Sequence, residues 1–248
     1  MKRKTSTKSN KWNTPFVELT PTQYSYVKKM SLLLFIQLIL LVATVFTVNK
    51  TMPDRECLLF SCNTIADVVS IIILEIVFIG MIFYFNNMQS TQHYILRCVG
   101  FFGIGLLLSY VIGIAYNIRK KYAKDPEKTT KNFYIGLGIT IAIFMGVFAL
   151  LPFLLPHTKS LARLMSYLFV GLILLIIASL IFARSYTLVV LGLFLFLVYL
   201  VVDMALLTYN CKVPNKLECD PPTGATNLYL DLINIFIRLF ELLDWNNS

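Results

Sequence analysis

The stretch TLVVLGLFLFLVYLVVDMALLT, Thr187 to Thr208, carries one charged residue, Asp203, in an otherwise unbroken apolar run. At a helical rise of about 1.5 Å per residue it is long enough to cross a hydrocarbon core of about 30 Å, which takes roughly 20 apolar residues. Six further runs of this kind occupy 30–48, 64–85, 94–115, 133–155, 164–183 and 226–244. In lipid every backbone N–H and C=O must be bonded within its own segment, so such runs span as helices. A β-barrel would show shorter segments of alternating polarity, and none occur. The expected fold is therefore an all-α integral membrane protein, a seven-transmembrane helical bundle over 30–244 behind a basic cytosolic tail, 1–29. The last run is the most polar, with Asp231 and Arg238, and either spans fully or dips in and returns.

Composition agrees: 57% of the chain is hydrophobic and 14% charged, against roughly a quarter charged in a soluble domain. The net charge of +9 is localised. Lys2, Arg3, Lys4, Lys8, Lys11, Lys28 and Lys29 oppose only Glu18 in the tail. Arg119, Lys120, Lys121, Lys124, Lys128 and Lys131 oppose Asp125 and Glu127 in 116–132. Basic flanks of this kind orient a membrane chain or touch anionic headgroups, which argues against nucleic acid as a partner. The first run is too long for the core of a cleavable signal and no small-residue cleavage site follows it, so it reads as a retained signal anchor.

Positive charge near the first helix places the N-terminus in the cytosol. Loops 86–93, 156–163 and 209–225 then lie inside, and 49–63, 116–132 and 184–186 outside. The basic 116–132 loop violates the charge rule, and inverting the chain only moves the violation to the tail. Cys57 and Cys62 share one loop and Cys211 and Cys219 another, on opposite sides, with Cys98 inside a helix. At most one pair then meets an oxidising compartment, and a cytosolic N-terminus selects Cys57–Cys62; the alternative is five reduced thiols. The glycosylation sequons at Asn49 and Asn246 lie too close to a span and to the C-terminus to be good acceptors.

A charge at the bilayer centre costs about 2.5–3.5 kcal/mol on insertion scales, so intramembrane acids are functional candidates. Four qualify: Asp67 and Glu75 in the second run, Asp203 in the sixth, Asp231 in the seventh. Asp203 lies near the end of its run and Asp231 near the start of the next, so both sit about 7–8 Å below one membrane face. Antiparallel neighbours joined by a loop permit them to meet. Asn227, Asp231, Asn234, Arg238 and Glu241 recur at i, i+4, i+7, i+11 and i+14, one stripe of a helix. A stripe on a spanning helix faces protein or water; the alternative is an amphipathic helix lying on the surface. Two carboxylates in contact in an apolar setting share a proton, and its loss drives them apart, coupling pH to helix packing and to ion passage. Asp67 and Glu75 are a possible cation path, or else a pair of protonated, hydrogen-bonded acids. His93 and His157 lack metal-ligand spacing. No hydrolase, metalloprotease or nucleotide-binding motif occurs. Neither catalysis, metal nor cofactor is expected.

Three segments carry a resemblance. Ala225-Thr-Asn-Leu-Tyr-Leu-Asp231-Leu-Ile-Asn234-Ile-Phe resembles the C-terminal signature A-x-x-L-Y-L-D-I-I-N-L-F of the Bax inhibitor motif family, which includes the lifeguard and Golgi anti-apoptotic proteins. Gly192 to Asp203 is similar to the family's G-x-x-L-F-x-x-Y-x-x-Y-D segment, and Val27-Lys28-Lys29 with the run through Gln37 looks like its opening. The resemblance covers about 25–243. It implies seven helices with a central C-terminal one enclosed by the rest. It further implies a pH-sensitive calcium leak from intracellular stores, in the endoplasmic reticulum or Golgi membrane, and suppression of cell death. Asp203 and Asp231 match the family's proton-sensing dyad; the expected partners are calcium ions, protons, the bilayer and other membrane proteins. A non-conducting protein that modulates death or stress signalling through such partners is the alternative. Met204 replaces the polar residue that tends to follow the first aspartate, Gly103 stands where the family often has an acid, and 64–85 has acids but no arginine. The resemblance thus carries over the dyad, but neither a gating counter-charge nor a permeation path. Large DNA viruses carry divergent members of this family, and the departures are compatible with such a source.

Overall fold

The computed structural model describes residues 18–51, 94–182, 185–213 and 217–247. They are helical, with no strand among the described residues: α1 (Pro21–Thr51), α2 (Tyr94–Tyr122), α3 (Pro126–Leu154), α4 (Thr158–Ile181), α5 (Tyr186–Asn210) and α6 (Pro221–Leu243). Three short 3-10 turns punctuate them at Leu155–His157, Leu217–Cys219 and Trp245–Asn247. Four described stretches are long and apolar enough to cross a membrane: Pro21–Thr51, Tyr94–Tyr122, Pro126–Ser179 and Tyr186–Asn210. The third contains both α3 and α4, which run on through the 3-10 turn after Pro152. A multi-pass helical membrane protein follows.

The helices extend well beyond the apolar runs, which corrects the expected loops. The basic segment 116–132 is not a loop: α2 continues to Tyr122 and α3 begins at Pro126. Asp125 closes the gap as the N-cap, its Oδ1 accepting from the N–H groups of Glu127 and Lys128 at 3.0 Å, with proline in the first turn. That arrangement is a strong helix start, because the carboxylate satisfies otherwise orphaned donors and proline has no N–H to lose. Likewise α1 begins at Pro21 rather than near 30, with Lys28 and Lys29 exposed on its surface. The loop expected over 209–225 shortens to the residues between Asn210 and Pro221.

Helix α6 lies at the centre, packed against α5, α1, α3 and α2, while α4 packs outside against α5. Its buried residues, among them Leu228, Tyr229, Asp231, Leu232, Ile233, Ile235 and Phe236, occupy a broad face of the helix, while Asn227 and Ile237 stay exposed on the rest. Aromatic rings seat its second half: Phe133 meets Phe236 and Phe240 edge-on at 5.0 and 5.6 Å, the geometry that ring quadrupoles favour. Gly224 allows α1 to close over its first turn, since a Cβ there would overlap the Tyr26 hydroxyl and crowd Met30.

Polar contacts fix which ends share a face. Gln23 Nε2 at the head of α1 donates to the Thr208 carbonyl at the tail of α5 at 3.1 Å, and Arg97 near the head of α2 pairs with Asp220 before α6. Cys211 and Asp220, at the two ends of the α5–α6 connection, therefore lie on the same face as the start of α1. The tail of α2, the head of α3 and the residues after α6 meet at the opposite face through Arg119–Asp244 and Asp125–Asn247.

Candidate proton-sensing site

Tyr199 and Asp203 stand one turn apart on α5, and Asp231 faces them from α6. Asp231 is 8% exposed, and its Oδ2 has no hydrogen-bond partner. Asp203 is half-buried. The two carboxylates act on one another electrostatically, and both act on Tyr199. Both acids selected from their depth thus sit on the antiparallel α5–α6 hairpin, Asp231 buried and Asp203 half-buried. With the longer helices they lie deeper than first reckoned. Asp203 is about 10 Å along the axis from the end of α5, and Asp231 about 15 Å from the start of α6.

The rest of the expected stripe divides. Asn227 is exposed. Asn234 turns back on its own helix, donating through Nδ2 to the Leu230 carbonyl at 2.9 Å. Arg238 pairs with Glu241 at 3.0 Å, both partly exposed. A Cβ on Gly192 would stand 3.2 Å from Arg238 Nε, so this glycine of α5 makes the room that Arg238 occupies. Arg238 and Glu241 border a cavity of about 600 Å³ near the end of α6, with Arg119, Ser179, Ser185 and Trp245. The stripe is a buried acid followed by a surface ion pair, not one polar seam. The reason is that cover over this face of α6 changes along its length: Asp231 is buried, whereas Asn227 before it is exposed and Arg238 and Glu241 after it are partly exposed. Asp67 and Glu75, and the expected Cys57–Cys62 bridge, lie outside the described residues.

Two polar clusters were not anticipated. Arg97 Nη1 donates to Asp220 Oδ2 at 2.8 Å and to Thr223 Oγ1 at 3.2 Å, with the side chains 1% and 2% exposed. Asp220 also caps α6, accepting from the Thr223 N–H at 3.2 Å and its hydroxyl at 2.6 Å. A lone arginine inside the apolar run 94–115 is the signal that would have flagged it, and Asp-Pro-Pro at 220–222 the signal for its partner. At the other face Asp244, just past α6, is 0% exposed. It accepts from Arg119 Nε at 2.7 Å, Asn132 Nδ2 at 3.0 Å and the Thr129 hydroxyl at 3.1 Å. Burial pushes its carboxyl up, but the hydrogen bonds from Arg119, Asn132 and Asn247 together outweigh that and hold it below the ordinary carboxylate range. The described bridge is Cys211–Cys219, and Cys98 is a free thiol.

The arrangement offers a buried acid beside a second acid at the core of the bundle. Among the described residues no three His, Cys, Asp or Glu side chains converge as a metal site. Comparison with individually curated proteins returns no match. The sequence profile of the family described as inhibitor of apoptosis-promoting Bax1 matches residues 23–248. That match runs from the first turn of α1 through the central helix and takes in both aspartates, so the chain belongs to the Bax inhibitor family.

Proposed function

We propose that this anti-apoptotic family member is a pH-sensitive calcium or cation leak in an intracellular membrane, endoplasmic reticulum or Golgi, with Asp203 and Asp231 as its proton latch. The observation that carries this reading is Asp231 itself. It is a buried acid on the central helix whose Oδ2 has no hydrogen-bond partner among the described residues, and the charge that acts on it electrostatically is another acid, Asp203. A buried carboxylate left without a partner is costly, and a shared proton relieves both that cost and the like-charge repulsion. Once the proton leaves, two charges about 4 Å apart at an effective dielectric of about 20 repel by about 4 kcal/mol. That is enough to separate α5 from α6 or to recruit a cation. Seven spans with a cytosolic N-terminus complete the proposal, and place the 211–220 connection on the cytosolic side, where the latch reads cytosolic pH.

The test is calcium flux in proteoliposomes between about pH 6 and 8. Wild-type flux rises with pH, whereas Asp203→Asn and Asp231→Asn, which cannot develop the second charge, flatten the profile. Flux with an unaltered pH profile in both variants eliminates the latch. A non-conducting interaction protein is the second reading, favoured by Met204, fully buried directly after Asp203, and by the open space around Gly103. Purified protein that passes no calcium at any pH, yet protects cells, selects it.

A further inference from the structure

Cys211 is the first residue after α5 and is fully buried, whereas its partner Cys219 ends the 3-10 turn and is partly exposed. The bond spans eight positions and ties the tail of α5 to the residue just before Asp220. Asp220 has two tasks at once. Its Oδ2 caps α6 through Thr223, and it is the counter-charge of the buried Arg97. Its carbonyl also accepts from the Gly224 N–H at 3.1 Å. Arg97 depends on that placement, because its Nε and Nη2 are buried with no hydrogen-bond partner among the described residues. The backbone position of 219–220 therefore sets the first turn of the central helix and the neutralisation of a buried cation, and the disulfide sets that position.

The side of the membrane gives the bond its meaning. The same face holds the head of α1, tied to α5 through Gln23 and Thr208, where Lys28 and Lys29 are exposed, and positive charge at the first helix orients that face to the cytosol. Disulfides in a reducing cytosol are mostly transient or redox-sensing rather than permanent. We propose that Cys211–Cys219 is a reversible redox switch, exchanged with glutathione-class thiols, that clamps the α5–α6 connection and with it the Asp220–Arg97 pair at the head of the central helix. It stands apart from the leak, since its consequence is structural.

The chemistry balances as ordinary thiol–disulfide exchange. An incoming thiolate attacks Sγ of Cys219, the accessible sulfur; the S–S bond breaks, and its electron pair leaves on Cys211, which takes up a proton. A second thiolate attacks the mixed disulfide, releasing the Cys219 thiol and the oxidised form of the small thiol. Two small thiols are oxidised to one disulfide as the protein bond is reduced to two thiols, and the reverse closes it.

The experiment uses the full chain in lipid nanodiscs, equilibrated over a range of reduced-to-oxidised glutathione ratios. Differential alkylation with peptide mass analysis reports the state of Cys211 and Cys219. Hydrogen exchange reports the amides of Thr223 and Gly224, the two bonded to Asp220. Reduction is expected to speed their exchange about tenfold, the fold-change that loss of a helix cap implies. The Cys211→Ser/Cys219→Ser variant should exchange like reduced protein in every buffer, and any redox response it keeps is that of Cys57, Cys62 and Cys98. Should that variant fold poorly, reduced wild type answers the same question. The proposal is overturned if the bond stays closed across all ratios, or if exchange at Thr223 and Gly224 is the same in the reduced and oxidised states. Neither readout involves calcium, so a protein that conducts nothing still decides the matter.

Discussion

Asp220→Ala removes the partner of a guanidinium that is 98% out of solvent, and its cost can be worked from the contacts. Arg97 has one ion-pair bond, to Asp220 at 2.8 Å, one bond to the Thr223 hydroxyl at 3.2 Å, and two unsatisfied nitrogens. Breaking a buried pair from one side costs about 3–5 kcal/mol, because the remaining charge is stranded. Loss of the cap adds about 1 kcal/mol. Asp220→Asn separates the two effects: asparagine still accepts from the Thr223 N–H, so it loses only the charge and costs about 3 kcal/mol. Replacing both partners removes the stranded charge, so Arg97→Met/Asp220→Asn should recover to within about 1 kcal/mol of wild type, as apolar substitutes for buried pairs commonly do. The two single changes should therefore be strongly non-additive, by about 2–3 kcal/mol. The assay is a four-protein cycle of equilibrium unfolding in mixed micelles, in which each 1.4 kcal/mol is a tenfold change in the unfolding constant. A double variant as unstable as the sum of the singles would refute the reasoning, since it would mean that Arg97 gains nothing from Asp220.

At the opposite face, Asp244→Ala deletes the acceptor of Arg119, Asn132 and Thr129 and should destabilise by about 2–3 kcal/mol, the range for a charged hydrogen-bonded group. Its carboxyl is held low in the folded chain, so the stabilisation is complete above the ordinary carboxylate pKa of about 4 and fades only as pH falls through the folded value. Wild type minus variant should thus be flat from pH 5 to 8, and a difference that shrinks with rising pH would show the sign to be wrong. Gly105→Leu forces a side chain into the space of Gln37, which is buried on α1. Overpacking of that contact should cost about 1–3 kcal/mol, read as a lowered thermal midpoint; an unchanged midpoint would show that α1 and α2 are not closely apposed there.

The sharpest lesson about legibility comes from three residues on or beside one helix. Asp231 was singled out in advance, because helical rise and chain order matched its depth to that of Asp203, and it is buried. Asn227 was assigned to the same stripe by its spacing, yet it is exposed. Periodicity reports which residues share a face but not what covers that face at each level along the helix. Asp220 was missed, since its role depends on Arg97, 123 residues away, and no local pattern encodes which distant side chain will arrive. The segment between α2 and α3 has the same origin. Hydropathy ends where apolar residues end, but Tyr116, Thr129 and Asn132 keep the backbone helical past that point by bonding to groups on other helices.

Unaided, the order of residues was enough to establish a helical membrane chain and its family, because hydrophobic length and a contiguous signature are local properties. Packing alone could establish that the last helix packs against four others, that Arg97 neutralises Asp220, and that Cys211 is bonded to Cys219. Those outcomes follow from which surfaces meet in three dimensions, and the free energy of burying a charge or closing a bond exists only once they have met.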